Sequence, residues 1–77
     1  MKNLLRSKLI RNINKILGTK SIKELSNVKR NNFDRWDSLS HLQIIFLLEK
    51  NLTRKKSINR LNKIATGKEL IKIVDDN

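Results

Sequence analysis

Apolar residues recur with a helical period in several separate stretches of the chain. Met1, Leu5, Leu9, Ile10, Ile13, Ile16 and Leu17 fall on one side of a 3.6-residue wheel, and Lys8, Arg11 and Lys15 lie opposite. Gly18 follows the last apolar residue, where a helix C-terminus prefers glycine, so a first helix is predicted over about 3–17. Asp37 and Ser38 are both good N-cap types and open a second helix that runs to about Asn51. Leu39, Leu42, Ile44, Ile45, Phe46, Leu47 and Leu48 cover most of its circumference, leaving Ser40, His41, Gln43 and Lys50 as a polar strip. Such a helix is expected at the centre, packed on several sides. After the connector "LTRKK", Ile58, Leu61 and Ile64 predict a short third helix. Thr66 and Glu69 have capping-box spacing and open a fourth, whose core face is Leu70, Ile71 and Val74.

Between the first two helices, residues 19–36 carry no period. "SIKEL" fits one short turn, and the rest predicts a loop of eighteen residues pinned to the core by Phe33 and Trp36. Loops of that length inside small domains are functional or disordered. The absence of proline and the presence of only 2 glycines suit helices. The fold class is therefore all-α: a four-helix bundle of three longer helices and one short third helix, with a long loop between helices 1 and 2.

Length limits what this bundle can do. A single domain spanning 1–77 buries roughly 60–65% of the surface its unfolded chain exposes, which leaves a thin core and little material for a supported catalytic cleft. A stand-alone enzyme is not expected. With no cysteine there is no disulfide, thiolate metal site or thiol catalysis, and a single histidine excludes a histidine-rich metal site. The longest apolar run, Ile44 to Leu48, is far short of the roughly 18–20 residues of a membrane span. The basic start of the chain lacks an apolar h-region. A cytoplasmic monomer is the expectation.

Charge complicates this picture. The chain carries 18 Lys and Arg against 7 Asp and Glu, a net charge of +11. Such a balance points to nucleic acid, an acidic membrane or an acidic protein, or else to compositional drift in a Lys-, Asn- and Ile-rich chain. The run Lys50, Arg54, Lys55, Lys56, Arg60, Lys63 suits a basic helical nucleic-acid-binding module, but no helix interleaves base-reading residues with it. The basic first helix suits an anionic membrane surface, but its apolar face is needed for the bundle. Residues 34–49, "DRWDSLSHLQIIFLLE", go the other way and net −2. The best organised segment is thus the least basic, and nucleic acid is not the expected partner.

Within that segment Ser38 sits at a helix start, beside backbone N–H groups that have no intrahelical partner. An anion attached to its hydroxyl would lie against the positive end of the helix dipole, an effect of about 0.3–1 kcal/mol. Ser38 has no activating constellation of its own. His41, one turn on, is expected as an exposed neighbour, but a base also needs an orienting group and an oxyanion site. A separate enzyme would have to activate this serine.

The stretch "DSLSHLQIIFLLE" resembles the signature of the acyl carrier protein family: Asp-Ser-Leu, apolar residues at Leu42, Ile44 and Ile45, then Leu48-Glu49. The likeness continues through Leu52, the "I-x-T" step at Ile64 and Thr66, and Ile71 and Val74, so that residues 33–74 follow the family and the first helix fits by pattern. The resemblance implies that Ser38 carries 4′-phosphopantetheine, transferred from coenzyme A by a phosphopantetheinyl transferase, and that the arm's thiol holds an acyl group as a thioester. It implies that Asp37 and Leu39 flank the attachment site, Asp37 as cap and transferase-recognition residue, and that Leu39, Leu42, Phe46 and Glu49 face partner enzymes. An aminoacyl or peptidyl carrier would use the same arm. No metal is implied.

The chain departs from the family in charge. Ser40, Gln43, Lys50 and Asn51 stand at positions often acidic in this helix, and only Glu49 is kept. Arg35 replaces the usual glycine two residues before the Asp. "WDSL-x-H" resembles carriers serving dedicated pathways more than those of general fatty-acid biosynthesis. Between Lys50 and Lys68 there is no acidic residue, so acyl-loading and acyl-transferring partners with acidic docking surfaces are expected.

Overall fold

In the computed structural model, which describes residues 2–52 and 58–76, helices account for every regular element. They are α1 (Lys2–Leu17), α2 (Ile22–Asn27), α3 (Ser38–Asn51), α4 (Ile58–Asn62) and α5 (Gly67–Asp75), with a 3-10 turn at Arg30–Asn32. The chain is all-α. Met1 and the connector Thr53–Ser57 of the predicted pattern lie outside the described residues, as does the side chain of Ile58.

The first helix follows its pattern. Leu9, Ile10, Ile13 and Leu17 are buried, Leu5 and Ile16 pack against them, and Lys8, Arg11 and Lys15 face solvent. It stops at Gly18, whose φ of 76° is left-handed and open only to glycine at low cost. Thr19 then turns inward, its hydroxyl 2.5 Å from Asn14 Oδ1.

The segment expected as one long loop holds α2, bounded by local chemistry. Ser21 Oγ accepts from the Glu24 backbone N–H at 3.1 Å, and the Glu24 carboxylate accepts from Lys20 N–H at 3.3 Å. A helix of six residues cannot stand alone. Leu25, fully buried, is its anchor, and it packs mainly on α5. There Gly67 is the contact point: a Cβ on it would meet Leu25 O at 1.7 Å.

Backbone hydrogen bonds then stitch the following residues to the start of α5. Gly67 N–H donates to Val28 O (3.0 Å), Arg30 N–H donates to Ala65 O (2.8 Å), and Lys29 and Thr66 form an antiparallel bridge. Phe33 is half-buried and Trp36 is buried, as the sequence predicted, and Trp36 N–H closes a turn on Phe33 O at 2.9 Å.

Two details of the predicted core change. In α5 the buried residues are Leu70, Ile73 and Val74, while Ile71 only flanks them. The Thr66–Glu69 capping box forms as predicted, Glu69 N–H donating to Thr66 Oγ1 at 3.1 Å. The second correction concerns α3, which is not packed all round. It turns His41, Ile44, Ile45 and Leu48 inward against α1 and α4, and leaves Leu39 at 64%, Leu42 at 45% and Phe46 at 59% exposure. The ends of the chain meet in an ion pair between Arg6 on α1 and Asp75 on α5.

Candidate functional site

Asp37, Ser38 and Leu39 come together at the start of α3, each placed by local backbone chemistry. Asp37 is the N-cap: extended at φ −88°, ψ −174°, its Oδ1 accepts the Ser40 backbone N–H at 2.8 Å. That bond, helped by the Ser40 hydroxyl, holds its carboxyl below the ordinary value of 3.8. Asp37 is therefore ionised and fixed at neutral pH. Ser38 is the first helical residue rather than the cap, and it is exposed, as is Leu39. Ser38 lines a shallow cleft of ≈ 680 Å³ together with Lys29, Arg30, Asn31, Trp36, Asp37, Ala65 and Thr66.

Lys29 and Arg30 are site residues that the sequence did not reveal. They line the cleft at Ser38 because the bridge to Thr66 and the Arg30–Ala65 hydrogen bond bring their segment to the start of α5. Nothing in their immediate neighbourhood along the chain signals that contact. α2 itself carried a signal, the Ser21-x-x-Glu24 spacing of a capping box.

His41 corrects an expectation: it is buried, at 2% exposure, and is not a surface neighbour of Ser38. Position 41 shares the inward face with Ile44, Ile45 and Leu48. Trp36 Nε1–H, which can only donate, meets His41 Nδ1 at 3.0 Å, and His41 Nε2 lies 3.0 Å from Asn62 O. Nδ1 must therefore accept, and Nε2 carries the proton and donates to the carbonyl. Burial pushes the imidazole below its ordinary 6.5, the Asn62 carbonyl opposes this, and the charge of Arg30 adds to it. The ring locks Trp36 and α4 onto α3, and both nitrogens are committed. It is no base for Ser38.

The arrangement presents an exposed serine on the first turn of α3 beside its capping aspartate, in a cleft that Lys29 and Arg30 also line, with the one histidine committed elsewhere. It suits acceptance of an anionic group delivered by another enzyme. Among the described residues no cluster of three His, Cys, Asp or Glu side chains could hold a metal ion.

Leu39, Leu42 and Phe46 continue from Ser38 along one face of α3, at spacings of three and four residues, and Glu49 is half-buried three residues further. Read from sequence, such a stripe is as easily core as surface; here it is surface. Of the basic run, Lys50, Arg60 and Lys63 lie in the described part, and Arg54, Lys55 and Lys56 lie outside it. No described helix is long and apolar enough to cross a membrane. Comparison with known proteins returns no significant match, whether to a family model, a curated protein or a solved structure.

Proposed function

We propose that this chain is a carrier protein of the acyl carrier type, with Ser38 as the attachment point of a 4′-phosphopantetheine arm. The observation that carries the reading is the exposed Ser38 on the first turn of α3, directly after a capping Asp37, with His41 buried and committed elsewhere. In this reading α1, α3, α4 and α5 are the four helices of the carrier bundle, and α2 is an extra element within its first loop.

The chemistry fits the residues present. A phosphopantetheinyl transferase would direct Ser38 Oγ onto the phosphorus of coenzyme A that bears the pantetheine. A P–O bond forms to Oγ, the pyrophosphate P–O bond breaks, 3′,5′-ADP leaves, and the serine proton passes to a base of the transferase. The new phosphodiester lies at a helix N-terminus, which favours negative charge, in a cleft where Lys29 and Arg30 offset the Asp37 carboxylate. The bound arm supplies a thiol that holds an acyl cargo as a thioester. The chain's own part is to present the hydroxyl, hold Asp37 ionised for recognition and keep the surrounding turn rigid through Trp36 and His41. The carrier does no chemistry itself and acts in the cytoplasm with loading and transferring enzymes, in a dedicated pathway. An aminoacyl or peptidyl cargo would use the same site.

The test is intact mass after incubation with coenzyme A and a broad-specificity transferase. One phosphopantetheinyl addition is expected on the natural chain and none on Ser38→Ala, which should fold normally. An unmodified natural chain, or addition persisting in Ser38→Ala, refutes the assignment.

A further inference from the structure

A groove of ≈ 590 Å³ runs along α1 and round the turn into α2, and it shares no lining residue with the Ser38 cleft. Its apolar part is Ile10 and Ile22, the latter 38% exposed at the first position of α2. Every other lining side chain is polar or cationic, and no carboxylate is among them. Arg6 is engaged by Asp75, which leaves Arg11, Lys15 and Lys20 as three exposed cations. Glu24 accepts the Lys20 backbone N–H at 3.3 Å and offsets part of that charge, but it does not line the groove. Asn14 adds a fixed neutral donor. Thr19, 6% exposed, donates its hydroxyl to Asn14 Oδ1 at 2.5 Å, and the Asn14 carbonyl accepts the Thr19 N–H at 2.9 Å. With its oxygen committed to Thr19, the half-buried amide has its NH2 group, a double donor, left for the groove it lines.

We infer that this groove binds a small soluble phosphate monoester, whose oxygens accept from the Asn14 amide and from Arg11, Lys15 and Lys20 while its organic part lies on Ile10 and Ile22. A phosphate presents three acceptor oxygens, and hydrogen bonds between charged partners are the strong kind. Three cations call for more charge than one carboxylate carries, which selects the phosphate. The C-terminal end of α1 lies at the same end of the groove and opposes an anion, but with roughly half a negative charge against three full positive ones. A single-stranded nucleic acid would want aromatic side chains to stack on, and none lines the groove. An anionic membrane would want a broad apolar face, and α1 has turned its own into the core. Thr19 is a positioning residue in this arrangement, acting through Asn14.

The carrier role of Ser38 does not enter, so the test uses the unmodified chain. A ¹⁵N-labelled sample, with ionic strength held at about 20 mM, is titrated with phenyl phosphate, inorganic phosphate and phenol. Phenyl phosphate is expected to shift the amides of Arg11, Asn14, Thr19 and Lys20 saturably, with a Kd of about 1 mM or below. Inorganic phosphate should bind there several-fold more weakly, since it covers neither isoleucine, and phenol should leave those amides unmoved. Asn14→Ala should weaken phenyl phosphate about ten-fold through loss of the donor. Asn14→Asp, which keeps an acceptor for Thr19 but faces the ligand with a carboxylate, should abolish binding. Thr19→Val leaves every charge in place and should still cost several-fold. Arg11→Gln/Lys20→Gln, changed only at exposed positions, should cost about ten-fold and keeps the test decisive where an Asn14 or Thr19 variant unfolds. Shifts that never saturate, or affinity unchanged in Asn14→Ala or in Arg11→Gln/Lys20→Gln, would mean an adventitious ion only and overturn the inference. So would shifts centred on the Ser38 cleft, or broadening of the same amides by phosphatidic acid vesicles without any response to phenyl phosphate, which would assign the groove to a membrane.

Discussion

Replacing His41 by leucine tests the buried network beneath Ser38. Leucine fills much of the imidazole's space but offers no acceptor, so Trp36 Nε1–H, now 3.0 Å from His41 Nδ1, is left buried and unpaired. An orphaned buried donor costs about 1–3 kcal/mol. Asn62 also loses its donor, but Asn62 is exposed and water can replace the bond. The added apolar contact offsets part of the loss, leaving about 2 kcal/mol. A domain of 77 residues has about 4–12 kcal/mol in total, so the variant should melt about 8–15 °C lower.

The assay is thermal unfolding followed by circular dichroism and by the emission of the single tryptophan. Trp36→Phe supplies the control, because it removes the orphan donor and keeps a ring in the core. In that background His41→Leu should cost about 1 kcal/mol less. A melting temperature within about 2 °C of the natural chain, or an equal cost in both backgrounds, would refute the network's role.

The same ring sets a pH dependence. Its folded pKa lies below 6.5, so the unfolded chain takes up the proton first. The stability contributed by neutral His41 is complete well above 6.5, falls as pH drops through 6.5 towards the folded pKa, and levels off below it. The melting temperature should fall between pH 8 and 5 in the natural chain and stay flatter in His41→Leu. A rise on acidification would contradict the assigned tautomer.

Other perturbations address the fold and the site. Gly67→Ala places a methyl 1.7 Å from Leu25 O, so α2 must separate from α5; a loss of about 3 kcal/mol or more is expected in denaturant titrations, and a native-like midpoint would refute that packing. Asp37→Asn keeps a side-chain cap and should melt close to the natural chain but accept phosphopantetheine more slowly, whereas Asp37→Ala should lose both stability and rate; equal rates for Asn and Asp would remove the carboxylate from recognition. Because Asp37 is held below 3.8, its stabilising contribution is present above that pH and lost on acidification below it. The net charge of +11 should make the melting temperature rise between low and moderate sodium chloride as self-repulsion is screened, and a flat or falling curve would mean the charges are already compensated.

Features governed by neighbours in the chain were legible from the sequence. The inward face of α1, its stop at Gly18, the Thr66–Glu69 box and the Asp37 cap each depend on groups within a few residues of one another, so spacing alone placed them.

α3 shows where that reasoning stops. With apolar residues on nearly every side, its pattern has no direction, and only the positions of α1 and α4 decide that Ile44 and Leu48 go in while Leu42 and Phe46 stay out. His41 is buried for the same reason, made tolerable by Trp36, five residues back in a stretch with no pattern of its own, and by Asn62, twenty-one residues on. Lys29 and Arg30 reach the Ser38 cleft through backbone bonds to Ala65 and a bridge to Thr66, and α2 persists because Gly67 leaves room for Leu25 O. These contacts join residues distant in the chain, where neither propensity nor period carries information, and tertiary packing alone brought them together.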